Sequence, residues 1–154
     1  ALAGALTDAL TDAHIEALVR LQAAFEATGE CSKDIPESKQ LSTALDYIEY
    51  CFESTRHWCG LALVNAEPVG HWIGHTLLHD ATSFRSDGYY VDDQFRDNGY
   101  GRALKEHQHQ HARDIGCDHM ATSVGKDNEV SRHILGTMGY TYDADNVTAS
   151  CRIS

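Results

Sequence analysis

Between an apolar run ending at Val91 and a helix-patterned segment from Arg102 to Ile115 lies Arg96-Asp97-Asn98-Gly99-Tyr100-Gly101. An R-x-x-G-x-G turn between strand and helix aims bare backbone N–H groups, and the positive end of a helix dipole, at one spot. Such a spot suits a phosphate or pyrophosphate. No Lys stands at the helix start, so this is not the G-x-x-x-x-G-K-[ST] nucleotide loop. A dinucleotide fold would carry a third glycine in an early β-α-β unit, whereas here about 95 residues precede the turn.

The pattern around the turn predicts an α+β chain. Thr11 or Asp12 can cap a helix bearing Ile15, Leu18, Val19 and Phe25, with Gly29 placed to end it. A second amphipathic helix carries Leu41, Leu45, Ile48 and Phe52. Trp58–Val64, Val69–His79 and Phe84–Val91 read as a meander, its first turn at Asn65-Ala66-Glu67-Pro68. A helix from Tyr100 to Ile115, stopped by Gly116, and a strand over His119–Val124 come next. Asp127 or Asn128 then caps a helix with Val130, Ile134, Leu135 and Met138 on one side and Gly139 as its stop. Tyr140–Tyr142 and Val147–Arg152 finish as strands, giving a mixed, mainly antiparallel sheet flanked by about four helices. With 154 residues and no linker-like stretch, residues 1–154 read as one domain.

Composition narrows the partners. The formal charge is −11, with four lysines, which argues against nucleic acid or an anionic membrane and suits a cationic small molecule. No apolar run approaches the roughly 20 residues of a membrane helix. Ala1 to Leu10 lacks the charge and hydrophobic pattern of a signal peptide, so a soluble cytoplasmic protein is expected. Cys31, Cys51, Cys59, Cys117 and Cys151 are odd in number and form no C-x-x-C pair, so reduced thiols are expected. Asn146-Val147-Thr148 matches a glycosylation sequon by chance.

Tyr90 to Leu104 resembles motif A of the GNAT superfamily of acyl-coenzyme A-dependent N-acetyltransferases, "V-x-P-x-x-R-x-x-G-x-G-x-x-L", with Asp93 where proline is common. Asn128-Glu129-Val130-Ser131, Ile134-Leu135 and Met138-Gly139-Tyr140 resemble the family's motif B at the usual separation. The resemblance implies a single-domain GNAT fold with acetyl-CoA as co-substrate, no metal, a small-molecule amine acceptor and room for a homodimer. It implies that Arg96, Asp97, Asn98, Gly99, Tyr100, Gly101 and Arg102 hold the pyrophosphate. Tyr90, Val91 and Asn128 would complete the coenzyme site, with N–H groups near Val91 polarising the thioester carbonyl. The amine would attack directly in a ternary complex, so the protein supplies positioning, a base and an acid.

Asp87, in Asp87-Gly88-Tyr89-Tyr90-Val91, matches a carboxylate that many members place on this strand and is the candidate base, with Asp92 or a histidine as alternatives. The acid departs from the family, because Leu135 stands where many members carry tyrosine. Tyr140 is the candidate substitute, with Tyr142, Tyr100 or water as alternatives. Asp97 is a second departure, a carboxylate beside a pyrophosphate where glycine or a basic residue is common. Gly116 to Ser123, with Asp87-Gly88 and no tyrosine at 135, is similar to aminoglycoside 6′-N-acetyltransferases.

Ten histidines raise the question of metal. His107 and His111 share a helix face, with His109 pointing elsewhere, and a polar surface is expected there rather than a metal site. His71, His75 and His79 share a strand face by alternation and are expected mostly at the surface, one of them facing substrate.

Overall fold

The computed structural model describes residues 2–5, 11–28 and 35–153. Gly29, Cys31 and most of the linking segment between the first two helices lie outside the described residues. Seven strands form one sheet in the order β1-β2-β3-β4-β5-β7-β6. They are β1 (Leu2–Ala5), β2 (His57–Val64), β3 (Glu67–Leu77), β4 (Asp80–Val91), β5 (His119–Ser123), β6 (Thr141–Tyr142) and β7 (Thr148–Arg152). The β4–β5 pair is parallel and the other pairs are antiparallel.

Helices α1 (Asp12–Ala27) and α2 (Gln40–Glu53) cover one face, and α3 (Tyr100–Asp114) and α4 (Glu129–Thr137) the other. Thr11 caps α1 by accepting from the His14 N–H at 3.2 Å, and Asn128 caps α4 by accepting from Ser131 at 3.1 Å. Alternation along β3 divides the core: Ile73 packs with Leu18, Leu21 and Ile48, whereas Trp72 packs with Leu104, Ala112 and Phe84. None of the described helices is long and apolar enough to cross a membrane. Cys51, Cys59, Cys117 and Cys151 are free thiols, as expected.

Several local expectations are corrected. The strand β1, paired with β2 from Leu2↔Ala62 to Ala5↔Cys59, carries no sequence signal, because alanine and glycine have weak strand preference. The first hairpin turns on Asn65 and Ala66 alone, both with positive φ (50° and 66°), while Glu67 and Pro68 open β3. The buried stripe of α2 is Ala44, Ile48 and Cys51; Leu41 and Leu45 are 63% and 41% exposed. Small residues let this helix approach its neighbours, which rotates the two leucines outward. Val130 is likewise exposed. The predicted polar face of α3 is an inward one: His107 accepts from the Trp72 indole N–H at 2.9 Å, and the His111 ring lies against Trp58, Trp72 and Phe84. His109 is buried.

Candidate active site

The parallel pairing of β4 with β5 covers only Ser83–Ser86 against His119–Thr122. Beyond it β4 runs on to Val91, while β5 ends at Ser123 and the chain turns away toward Asn128. The diverging strands leave a wedge of about 150 Å³ whose walls include Ser86, Tyr89, Asn128 and Leu135. The Ser86 hydroxyl is buried on this wall without a partner, the kind of group a ligand satisfies.

A bulge shapes the wedge. Ile73 pairs with Gly88 and Gly74 with Ser86, so Asp87 is an extra residue in β4. The bulge shifts the phase of the strand. Asp87 then faces the α1/α2 side, and Tyr89 faces α3 and α4. Glycine is required at 88, because a Cβ there would lie 2.6 Å from the Phe25 ring.

On the α1/α2 side His75 Nδ1 donates to Asp87 Oδ2 at 2.8 Å, and each side chain is 21% exposed. His57 stacks on His75 with centroids 4.8 Å apart, while its own Nδ1 bonds the Ser54 hydroxyl at 2.7 Å. Burial, then the neighbouring His75, lowers the His57 pKa. Burial, then the Asp87 carboxylate, raises the Tyr47 phenol; the Cys51 thiol is pushed up to about 11, mainly by burial. Among the described residues, His57, His75 and Asp87 bring donor atoms within 4.8 Å of one another. The His57 and His75 rings are nearly parallel, at 25°.

The expected row of surface histidines is therefore corrected. His71 is fully buried against Gln22, 2.8 Å away, and burial pushes its pKa down to about 3. His75 is half-buried on Asp87, and His79 lies past the end of β3. The sequence reading missed His57. The hairpin register, His57↔His75, is the signal that could have found it.

The glycine turn follows the end of β4 at Val91 and opens α3. Asp93–Phe95 forms a 3-10 turn, and Arg96 pairs with Asp93 at 3.0 Å while its Nε donates to the Val91 carbonyl. The Asn98 amide braces the loop by donating to the Phe95 and Arg96 carbonyls. Gly99 caps α3 at φ 80° with no side chain closing the helix end. The first-turn amides of Tyr100, Gly101 and Arg102 thus have no intrahelical acceptor and no capping side chain, at the positive end of the α3 dipole. Arg102 ties α3 to α4 by donating to Thr137 at 2.7 Å. Tyr90 turns from this loop toward α1, with the Arg96 guanidinium 5.5 Å from its ring. Asp97 sits exposed in the turn at φ 63°.

A sequence model of the acetyltransferase (GNAT) family matches residues 20–140. The chain belongs to the GNAT family of acetyltransferases. No curated protein matches it by sequence. Solved GNAT structures share the fold at low identity. One is an acetyltransferase of Salmonella typhimurium solved with its cofactor acetyl-CoA, 13% identical with a TM-score of 0.72, covering 100% of this chain and 94% of that one. Another is the aminoglycoside 6′-N-acetyltransferase of Enterococcus faecium, at 12%, 0.72, 100% and 97%. A third is the ribosomal-protein-S18-alanine N-acetyltransferase of Escherichia coli, at 14%, 0.68, 100% and 94%. Their acceptors differ, so the GNAT fold does not choose one.

The candidate acid Tyr140 stands behind the wedge wall. It is buried, bonded to His109 Nε2 at 2.7 Å, and its phenol is raised by burial and then by Cys151. Lys105 is fully buried between the rings of Tyr89 and Tyr140, 5.4 and 5.5 Å from their centroids, and burial pushes its amine down to about 7. Burial, then Lys105, pushes His109 down to about 4. Tyr89, in contrast, lines the wedge and shares a 2.9 Å hydrogen bond with Ser131.

Proposed function

We propose that this GNAT protein is a cytoplasmic N-acetyltransferase that moves an acetyl group from acetyl-CoA to a primary amine of a small acceptor. The observation that carries this reading is Asp87, pushed out at the bulge beside the wedge and held by His75 at 2.8 Å. The uncapped start of α3 and the loop from Arg96 to Gly101 fit the coenzyme pyrophosphate. The unpartnered Ser86 hydroxyl fits the reactive arm in the wedge. The thioester supplies the acyl group. This chain holds it, orients the amine and takes the proton that the amine loses on attack.

Asp87 receives that proton, and the His75 ring fixes the orientation of the carboxylate beside the wedge. The net charge of −11 draws a cationic acceptor toward the protein, and Asp87 is the carboxylate that meets its ammonium. A panel of amines, with aminoglycosides, polyamines and peptide N-termini as arms, tests this by release of free thiol from acetyl-CoA. Turnover with a small cationic amine is expected; turnover with peptide N-termini alone would move the acceptor class. No thiol release with any amine, in protein whose melting temperature acetyl-CoA raises, would mean a binding module rather than an enzyme.

A further inference from the structure

Two proton-handling side chains of β4 border the same wedge from opposite faces of the sheet. Asp87 lies on the α1/α2 side and Tyr89 on the α3/α4 side, because Asp87 is the extra residue of the bulge and shifts the alternation of β4. The Tyr89 ring passes beside the first turn of α3, where a Cβ at Gly101 would stand 3.7 Å from its edge. Its hydroxyl reaches α4 and shares the 2.9 Å hydrogen bond with Ser131, one helical turn before Leu135. Leu135 lines the wedge but has no proton to give. The other hydroxyls on the wall, Ser86, Thr122, Ser123 and Ser131, are aliphatic. Phenols ionise near pH 10, close to a thiol, whereas aliphatic hydroxyls do not.

We propose that Tyr89 is the acid of the reaction, donating its phenolic proton to the sulfur that leaves the acetyl group. The assignment rests on the acetyl-CoA reading above. As the amine nitrogen bonds to the carbonyl carbon and the C–S bond breaks, the electron pair of that bond passes to sulfur. Tyr89 protonates it, and coenzyme A departs as the thiol. The phenolate, held by the Ser131 hydroxyl, regains a proton from water, and Asp87 returns to water the proton it took from the amine. Amine and thioester thereby become amide and thiol. Ser131 is a positioning residue, since it acts through the Tyr89 hydroxyl.

Coenzyme A with its free thiol is the probe. Its bound thiol is titrated by thiolate absorbance on the wild-type protein, Tyr89→Phe and Ser131→Ala, each variant losing only a hydroxyl. The bound thiol should titrate about one pKa unit or more higher on Tyr89→Phe, the size of a lost hydrogen bond to a charged group. Ser131→Ala keeps the phenol and should shift it less. In turnover, Tyr89→Phe should lower kcat about tenfold to a hundredfold, with the KM for acetyl-CoA unchanged. An acetyl donor with a more acidic leaving thiol should recover most of that loss. Equal thiol pKa values on wild-type and Tyr89→Phe would overturn the assignment and leave the acetyl-CoA reading standing. Equal effects of Tyr89→Phe and Ser131→Ala would reduce the hydroxyl to a strut between β4 and α4 and overturn it too. A wild-type protein that binds no coenzyme A removes both.

Discussion

The two faces of the sheet treat their ionisable groups differently. On the α1/α2 side His57, His75 and Asp87 touch one another while half-open to solvent. On the α3/α4 side Lys105, His109 and Tyr140 are sealed inside. Burial lowers the basic groups of the sealed cluster and raises its phenol, so His109 and Tyr140 are held neutral at pH 7 while Lys105, at about 7, is only partly charged. The half-open set keeps a carboxylate within reach of a ligand and a partner that orients it. That set suits proton exchange with a ligand, and the sealed cluster suits holding α3 and the C-terminal strands together. Tyr89, on the α3/α4 side but lining the wedge, belongs to neither group.

The largest expected effect tests that division directly. Asp87→Asn keeps the hydrogen bond but removes the base, and kcat should fall about 10²- to 10³-fold, with the KM for acetyl-CoA little changed. Tyr140→Phe should instead cost stability, about 1–2 kcal/mol, because it leaves His109 without its partner. A Tyr140→Phe variant that melts normally yet turns over as slowly as Asp87→Asn would break the comparison.

His71 is the exception on its own side, since it faces α1 but is fully buried. Its folded pKa, about 3, lies below the usual 6.5, so between those values the unfolded chain binds the extra proton. Its contribution to stability is whole above pH 6.5 and is lost as pH falls toward 3, by about 1.4 kcal/mol per unit at most. Melting temperatures across this range should fall steeply for the wild type. His71→Gln should show a shallower limb, and identical limbs would mean that the ring is charged when folded.

How far this division could be read from sequence depends on the range of the signal. The glycine turn and the Asn128 cap are local devices, with few residues supplying both pattern and geometry, and they stand where the spacing predicts. The pairing of His75 with Asp87 and the placing of Tyr89 depend on the bulge, which shifts alternation by one residue and leaves no mark in composition. The histidines of α3 misled because the face that reads as polar is the one packed on Trp58 and Trp72. In α2 the obvious leucines lost to Ala44 and Cys51, since close approach favours small side chains. Local chemistry was legible, and the phase of elements against one another was not.

Lys105 sharpens the sealed side. Its folded pKa, about 7, lies below 10.5, so the unfolded chain binds the extra proton in that window and stability climbs with pH. Above pH of about 8.5 thiols and then phenols, which burial raises, oppose the trend. Between pH 7 and about 8.5 the wild-type melting temperature should therefore rise, and Lys105→Met should flatten it. A slope that survives the substitution would place its origin elsewhere.

Asp97 carries the smallest expected effect. Its φ of 63° is one that glycine adopts freely, and its exposed carboxylate lies in the loop that fits the pyrophosphate. Exposed charges are screened, so the repulsion is worth about 1 kcal/mol or less. Asp97→Gly should therefore tighten acetyl-CoA by up to about fivefold at low salt, within that limit. Debye screening should shrink the difference toward 1 M salt, where the screening length is about 3 Å. Conformational relief is independent of salt, so any part of the gain that persists belongs to the backbone and not to the charge. Weaker binding by the glycine variant would show that the carboxylate supports the loop instead of opposing its ligand, and the departure from the family pattern at 97 would then be a structural device of the coenzyme side.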